Sequence, residues 1–272
     1  MSRIETCFSR LKAANKKALI PFVTAGDPNP EMTLPLMHAM VKAGADIIEL
    51  GVPFSDPMAE GPVIQRACER ALLHHTSLHD VIAMVARFRE DDDTTPVVLM
   101  GYLNPVEVMG YEAFATAAAQ SGVDGVITVD MPPEEAGDYG EALKKAGLDP
   151  VFLLAPTSTE ERIAKISALA GGFVYYVSLK GVTGAANIDM SSVSDKLNVI
   201  RGYTEMPVAV GFGIKDAQTA AAVAAVSDAV VVGSALVRVI EDHAEHTDHA
   251  EQIIAEISQR LVAMREAIDQ VD

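Results

Sequence analysis

The chain is poor in several features from which chemistry is usually read. It has two cysteines, Cys7 and Cys68, far apart in sequence and without metal-site spacing. A reduced, cytoplasmic protein is the economical reading. No apolar run approaches the ~20 residues of a membrane span, and the polar N-terminus has no signal-peptide core. Basic residues are scarce, with 21 Lys and Arg against 38 Asp and Glu, a formal net charge of −17. That balance argues against nucleic-acid or anionic-membrane binding, both of which need basic patches. It also means that an anionic substrate must be held by local dipoles, because the global field repels it. The acidic runs at 90–93 and 241–251 read as solvated surface.

Histidine is missing where catalysis would need it. His38, His74, His75, His79, His243, His246 and His249 all fall on expected helices or their outer connections. A His-liganded metal site and a Ser–His–Asp nucleophile therefore both lack their histidine, and no metal is expected. No Gly-x-Gly-x-x-Gly follows the first apolar strand, so a dinucleotide fingerprint is absent as well.

What is present is a carboxylate in an unusual place. Ile47-Ile48-Glu49-Leu50-Gly51 is an apolar strand holding Glu49, and a second acid, Glu60, follows in a loop rich in Pro and Gly. Burying a lone Glu is costly, and no Lys or Arg between Asp46 and Gln65 can pair with it. Such a group is kept for chemistry or for a structural hydrogen bond.

Around this segment the chain alternates strands with helices. Strands are expected at 18–24, 47–53, 97–102, 125–130, 151–155, 173–178, 207–212 and 229–233. Most are continuously apolar, as in parallel strands covered by helices. Helical patterns lie between them at 30–43, 62–73, 78–89, 111–121, 134–146, 159–170 and 216–226. The order points to one α/β domain over 1–272, a (β/α)₈ TIM barrel, with a doubly wound sheet as the alternative. An extra N-terminal helix carries an Ile4, Phe8, Leu11 face suited to plugging the barrel bottom. A long C-terminal helix carries Ile253, Ile257, Leu261, Met264 and Ile268 on one side.

In a barrel the active site lies at the C-terminal ends of the strands. That rule gathers Glu49, Tyr102, Asn104, Asp130 and Ser178 at one mouth. Three glycine clusters also follow the late strands: Gly181-Val182-Thr183-Gly184, Gly211-Phe212-Gly213 and Gly233-Ser234. Glycine lets backbone N–H groups approach an anion, and a following helix adds its partial positive charge. Loops after strands seven and eight often form such a phosphate site. With few arginines nearby, a cradle of N–H groups aided by the Ser234 hydroxyl is expected. Lys180, near a strand end, leaves a Schiff-base aldolase open, and a solvated loop lysine is the blander account.

The motifs Pro21-Phe22-Val23-Thr24-Ala25-Gly26-Asp27-Pro28, Glu49-Leu50-Gly51-Val52-Pro53-Phe54-Ser55-Asp56-Pro57, Gly181-Val182-Thr183-Gly184 and Gly211-Phe212-Gly213-Ile214, in that order, resemble the alpha subunit of tryptophan synthase. The resemblance covers the whole chain. It implies a lyase that cleaves indole-3-glycerol phosphate to indole and glyceraldehyde 3-phosphate in tryptophan biosynthesis. It also implies a beta-subunit partner in an alpha2beta2 complex, with pyridoxal phosphate in that partner and no cofactor in this chain. Glu49 matches the family's acid/base, and Glu60 stands where Asp is typical for the second carboxylate. Gly184, Gly213, Gly233 and Ser234 match the phosphate site, while Phe22, Tyr175, Thr183 and Phe212 match positions lining the substrate or clamping a loop. The loops at 53–60 and 179–189 are expected to act as lids, with Asn104, Pro132 and the surroundings of Asp56 facing the partner.

Overall fold

A computed structural model describes residues 2–178, 190–211, 213–244 and 249–271. Eight strands run through it: β1 (Ala18–Thr24), β2 (Ile48–Gly51), β3 (Val97–Gly101), β4 (Gly125–Thr128), β5 (Asp149–Leu154), β6 (Val174–Val177), β7 (Val208–Gly211) and β8 (Ala229–Val232). Each pairs in parallel with the next, and β8 returns to β1, so the sheet closes. Closure excludes the doubly wound alternative. Twelve helices lie among the described residues: α1 (Arg3–Ala13), α2 (Pro30–Lys42), α3 (Pro62–Leu73), α4 (Leu78–Phe88), α5 (Leu103–Met109), α6 (Tyr111–Gln120), α7 (Gly137–Ala146), α8 (Glu160–Leu169), α9 (Met190–Arg201), α10 (Ala217–Ala224), α11 (Ser234–His243) and α12 (Ala250–Ile268). None is long and apolar enough to cross a membrane.

Two cores explain the unbroken apolar strands. Leu19, Val23, Ile48, Leu50, Leu99 and Val174 pack outward against the helices. Ala18, Ile20, Ile47, Val98, Ile127, Val151 and Ala209 fill the barrel interior. Side chains alternate along a strand, so Glu49, two residues beyond Ile47, is carried inward as well.

Helix α1 seals the bottom of that interior. The Ser2 hydroxyl accepts from the Glu5 N–H, and the Glu5 carboxylate accepts from the Ser2 N–H, a reciprocal cap that fixes where the helix starts. Ile4, Cys7, Phe8 and Leu11 then join the interior cluster, with the Phe8 and Phe173 rings 5.8 Å apart. At the other end of the chain, α12 buries Ile253, Ile257, Leu261, Met264 and Ile268 against its neighbours. Each such side chain contributes roughly 1.5–3 kcal/mol of apolar burial. Arg265 pins the helix to the barrel base, donating to Asp46 Oδ2 at 2.9 Å and to the Lys17 carbonyl at 3.0 Å.

Two local differences from the expected pattern have physical causes. The helix expected at 134–146 begins at Gly137, because the chain after Pro132 first makes a turn in which the Glu135 N–H donates to the Pro132 carbonyl. Asn104, expected in a loop, lies in α5. That short helix is capped from the neighbouring strand end, where Asp130 Oδ1 accepts from the Leu103 N–H at 2.8 Å.

Candidate active site

The barrel opens at the C-terminal ends of its strands into a cavity of about 1010 Å³. Phe22, Glu49, Glu60, Tyr175, Gly213, Gly233 and Ser234 all line it, so residues from β1, β2, β6 and the loops after β2, β7 and β8 meet there. Thr183, Gly184 and Phe212, with Lys180 and the expected lid at 179–189, lie outside the described residues.

Glu49 is 1% exposed, and its Oε2 has no hydrogen-bond partner among the described residues. Burial, reinforced by the nearby charge of Glu60, pushes its carboxyl up to about 8. Glu60 is half-buried and is pushed up to about 7 by burial. Two carboxyls thus face one mostly apolar cavity with both pKa values near neutrality, a range suited to giving and taking protons. Tyr175 is held well above the usual phenol range, first by burial and then by the charges of Glu49 and Glu60, so it remains neutral beside them.

The loop bearing Glu60 is tied on both sides. The Tyr102 hydroxyl accepts from the Ala59 N–H at 3.0 Å, and the Gln65 Nε2 donates to the Glu60 carbonyl at 2.8 Å. The Phe54 ring stacks on Tyr102 with centroids 5.2 Å apart. Tyr102 therefore acts behind the cavity wall, in a small adjoining space shared with Glu60. Asp130 does not line the cavity, being engaged as the cap of α5. Ser178 also turns away, donating from its buried hydroxyl to the Gly211 carbonyl at 3.2 Å.

Two glycines make room for the aromatic walls. A Cβ at Gly51 would stand 2.7 Å from Phe22 Cζ, and one at Gly211 would collide with the Tyr175 hydroxyl. Gly211 was expected in the anion cradle; its position at the end of β7 gives it this packing role. Gly213 has φ +75°, a left-handed conformation that side chains rarely adopt. Gly233 precedes α11, which begins at Ser234, and its carbonyl accepts from the Leu236 and Val237 N–H groups at 2.8 and 3.2 Å, so the Ser234 and Ala235 N–H groups head the helix.

Sequence reading missed two cations on the cavity wall, Arg162 and Arg238. The signal for Arg238 was its i+4 spacing from Ser234, which places both on one face of α11. In the loop after β1, Asp27 has a fully buried side chain and takes a bidentate pair from Arg70 at 2.6 and 2.8 Å. Arg70 and Arg66 both reach Glu241, so α3, which follows the Glu60 loop, is clamped to α11.

Known proteins share both this sequence and this geometry. The family model for the tryptophan synthase alpha chain matches residues 8–268. A tryptophan synthase alpha chain from Thioalkalivibrio sulfidiphilus is 64% identical over 99% of this chain and 100% of its own length. One from Nitrosococcus oceani is 61% identical over 99% and 98%. The crystal structure of tryptophan synthase subunit alpha from Legionella pneumophila superposes with a TM-score of 0.92 at 46% identity, covering 100% of both chains. A chain from the tryptophan synthase a2b2 complex of Pyrococcus furiosus gives a TM-score of 0.82 at 36% identity, covering 92% of this chain and 98% of its own. The chain belongs to the tryptophan synthase alpha chain family.

Proposed function

We propose that this chain cleaves indole-3-glycerol phosphate to indole and glyceraldehyde 3-phosphate in the barrel-mouth cavity, with Glu49 as the acid/base and Glu60 as the group that stabilises charge. The reaction is a retro-aldol step with no net change in protons. Glu49, protonated, delivers a proton to the indole ring carbon that bears the glycerol chain. The ring nitrogen becomes positive, and the Glu60 carboxylate accepts a hydrogen bond from its N–H. As the carbon–carbon bond breaks, its electron pair returns to the ring. The hydroxyl on the departing carbon loses its proton to Glu49 and becomes the aldehyde.

One observation carries this reading: a fully buried glutamate, its Oε2 without a partner among the described residues, faces a mostly apolar cavity that also holds a second carboxyl. With Glu49 at about 8 and Glu60 at about 7, the pair retains a proton near neutral pH, as the first step requires. Phe22, Tyr175, Thr183 and Phe212 hold the indole and the closing loop. Gly184, Gly213, Gly233 and Ser234 bind the phosphate by backbone N–H groups and one hydroxyl. Glu60, one methylene longer than the usual Asp, keeps the charge and reaches the nitrogen through a slightly different loop geometry.

The partner is a tryptophan synthase beta subunit in an alpha2beta2 complex, which receives the indole and joins it to serine on its own pyridoxal phosphate. The alpha step needs no cofactor in this chain. Exposed Met58, on the Glu60 loop, and exposed Val108, on α5, give the C-terminal side of the barrel apolar surface for that partner. The buried free thiols Cys7 and Cys68 accord with a cytoplasmic protein. Indole release from indole-3-glycerol phosphate, measured with and without the beta subunit, tests the reading. Release is expected from the chain alone and is expected to be faster in the complex. No indole under either condition overturns it.

A further inference from the structure

We propose that Thr24 is a positioning residue for Glu60, acting through a single water held in the small space between them. The inference rests on the role given to Glu60 above and names what aims it. Thr24 closes β1 two residues beyond Phe22, so the two side chains leave the same side of the strand. Its partner across the sheet is Gly51, and Gly101 ends the next strand, β3. Neither glycine carries a side chain. A space of about 10 Å³ remains there, and Thr24, Glu60, Tyr102 and Cys68 line it among apolar groups. One water needs about that much room.

The polar groups around this space have bonds still to make. The Thr24 hydroxyl is 2% exposed and has no hydrogen-bond partner among the described residues. Valine would fill the same place in a strand without burying a hydroxyl, and a hydroxyl left unpaired in the interior is costly. The Tyr102 hydroxyl accepts from the Ala59 N–H, and its own proton has no acceptor among the described residues. Burial pushes that phenol up to about 12, so the proton stays in place to be donated. The Glu60 backbone carbonyl accepts from Gln65, whereas its carboxylate accepts no hydrogen bond among the described residues. A water between the three accepts from the Thr24 and Tyr102 hydroxyls and donates to the carboxylate, and three partners are what a buried water usually has.

Such a water does two things for the reaction. It holds one carboxylate oxygen from behind and leaves the other for the indole N–H in the large cavity. It also donates to the charged form of Glu60, against the burial that raises this carboxyl. The other titratable groups that act on Glu60 or are acted on by it are Glu49 from β2, Tyr102, Cys68 from α3 and Tyr175 from β6. Glu49 and Tyr175 line the large cavity, as do Arg162 and Arg238, and none of the four lines the small space behind Glu60.

Cleavage of indole-3-glycerol phosphate by the full-length chain with its beta subunit, for the parent, Thr24→Val, Thr24→Ser and Glu60→Gln, tests this. Thr24→Val keeps the shape and removes the hydroxyl. It is expected to lower kcat roughly tenfold with KM within about twofold, because the charge on Glu60 is needed most in the transition state. Thr24→Ser should recover most of the loss. The acidic limb of the kcat profile, where Glu60 must lose its proton, should move up by roughly half to one pH unit in Thr24→Val, since support for the charged form is gone. A crystal structure of the parent complex should show a water within hydrogen-bond distance of both Thr24 Oγ1 and the Glu60 carboxylate. If no water lies there, the proposal falls whatever the variants do. If Glu60→Gln cripples cleavage while Thr24→Val keeps the parent's kcat and limb, Glu60 stands and Thr24 has no part in aiming it. If Glu60→Gln cleaves as fast as the parent, the role of Glu60 falls and this inference with it. Equal loss of kcat in Thr24→Val and Thr24→Ser with the limb unmoved would show a packing effect and overturn the proposal.

Discussion

Replacing Glu49 by Gln should abolish cleavage and at the same time stabilise the protein above neutral pH. The variant keeps the shape and removes the titration. In the unfolded chain the carboxyl ionises near its ordinary 4.5, whereas in the fold it ionises at about 8. Because the folded value is raised, the native state binds more protons than the unfolded state between those limits. Stability contributed by the protonated form is therefore full below the unfolded value and is lost as pH rises through the folded one. At 1.36 kcal/mol per pH unit, the difference amounts to roughly 3 kcal/mol at pH 7 and about 5 kcal/mol by pH 9. Gln resembles the protonated acid and carries no such loss. Denaturant unfolding of parent and variant from pH 5 to pH 9 should show the variant's advantage growing across that window, with a crossover in rank if Gln packs slightly worse at low pH. Indole release should fall by ~10²–10⁴-fold in the variant. A stability difference that stays flat with pH would refute the account of Glu49 as an unpaired buried acid. A loss of activity below threefold would remove it from the reaction.

Glu60→Gln and Glu60→Ala should cripple cleavage mainly through kcat, while Glu60→Asp keeps measurable activity; a Glu60→Ala rate equal to the parent's makes position 60 a spectator. Gly51→Ala places a methyl 2.7 Å from the Phe22 ring and should displace that cavity wall. A stability loss of about 1–3 kcal/mol with reduced kcat/KM is expected, and unchanged values of both would show that Phe22 moves freely. Asp27→Asn breaks the buried bidentate pair with Arg70 and should cost roughly 3–5 kcal/mol in chemical denaturation; a cost under about 1 kcal/mol would mean that Glu241 alone suffices for Arg70.

The barrel was readable because its strands are buried on both faces, which leaves short apolar runs that no helix periodicity mimics. Glu49 was readable for the same reason, as the one charge inside β2. Contacts that depend on a neighbouring strand were not. The cap that Asp130 gives α5 joins residues 27 positions apart, so neither the helix nor the true work of Asp130 shows in local sequence. Tyr102 was expected at the barrel mouth, but its tie to the Ala59 N–H there is a contact across 43 positions. Gly211 looked like part of an anion cradle, since a glycine needed for the Tyr175 ring reads the same as one needed for a phosphate. Arg238 was hidden among helix charges, which are usually solvated.

Glu49 is treated differently from the other acids drawn into the barrel, including Asp27, which lies in the loop after β1 and is met by Arg70. At the base, Asp46 accepts from the Leu19 N–H, Arg10 and Arg265, and Asp124 accepts from the Val97 N–H, Arg3 and Arg89. The three partners of each aspartate come from three different segments of the chain, so each ties helices and strands together and its charge is met. At the mouth, Glu49 is more deeply buried, yet one oxygen has no partner among the described residues and the charge acting on it is another acid, Glu60. A folding sequence selected for stability alone would satisfy or replace such a group, since an unpaired buried carboxyl costs more than an apolar side chain of similar size. The apolar barrel interior and the plug of α1 offset the cost that the mouth carries. Burial by itself therefore does not mark the active end of this barrel. The mark is burial without satisfaction, in a cavity wide enough for a substrate to provide the missing partner.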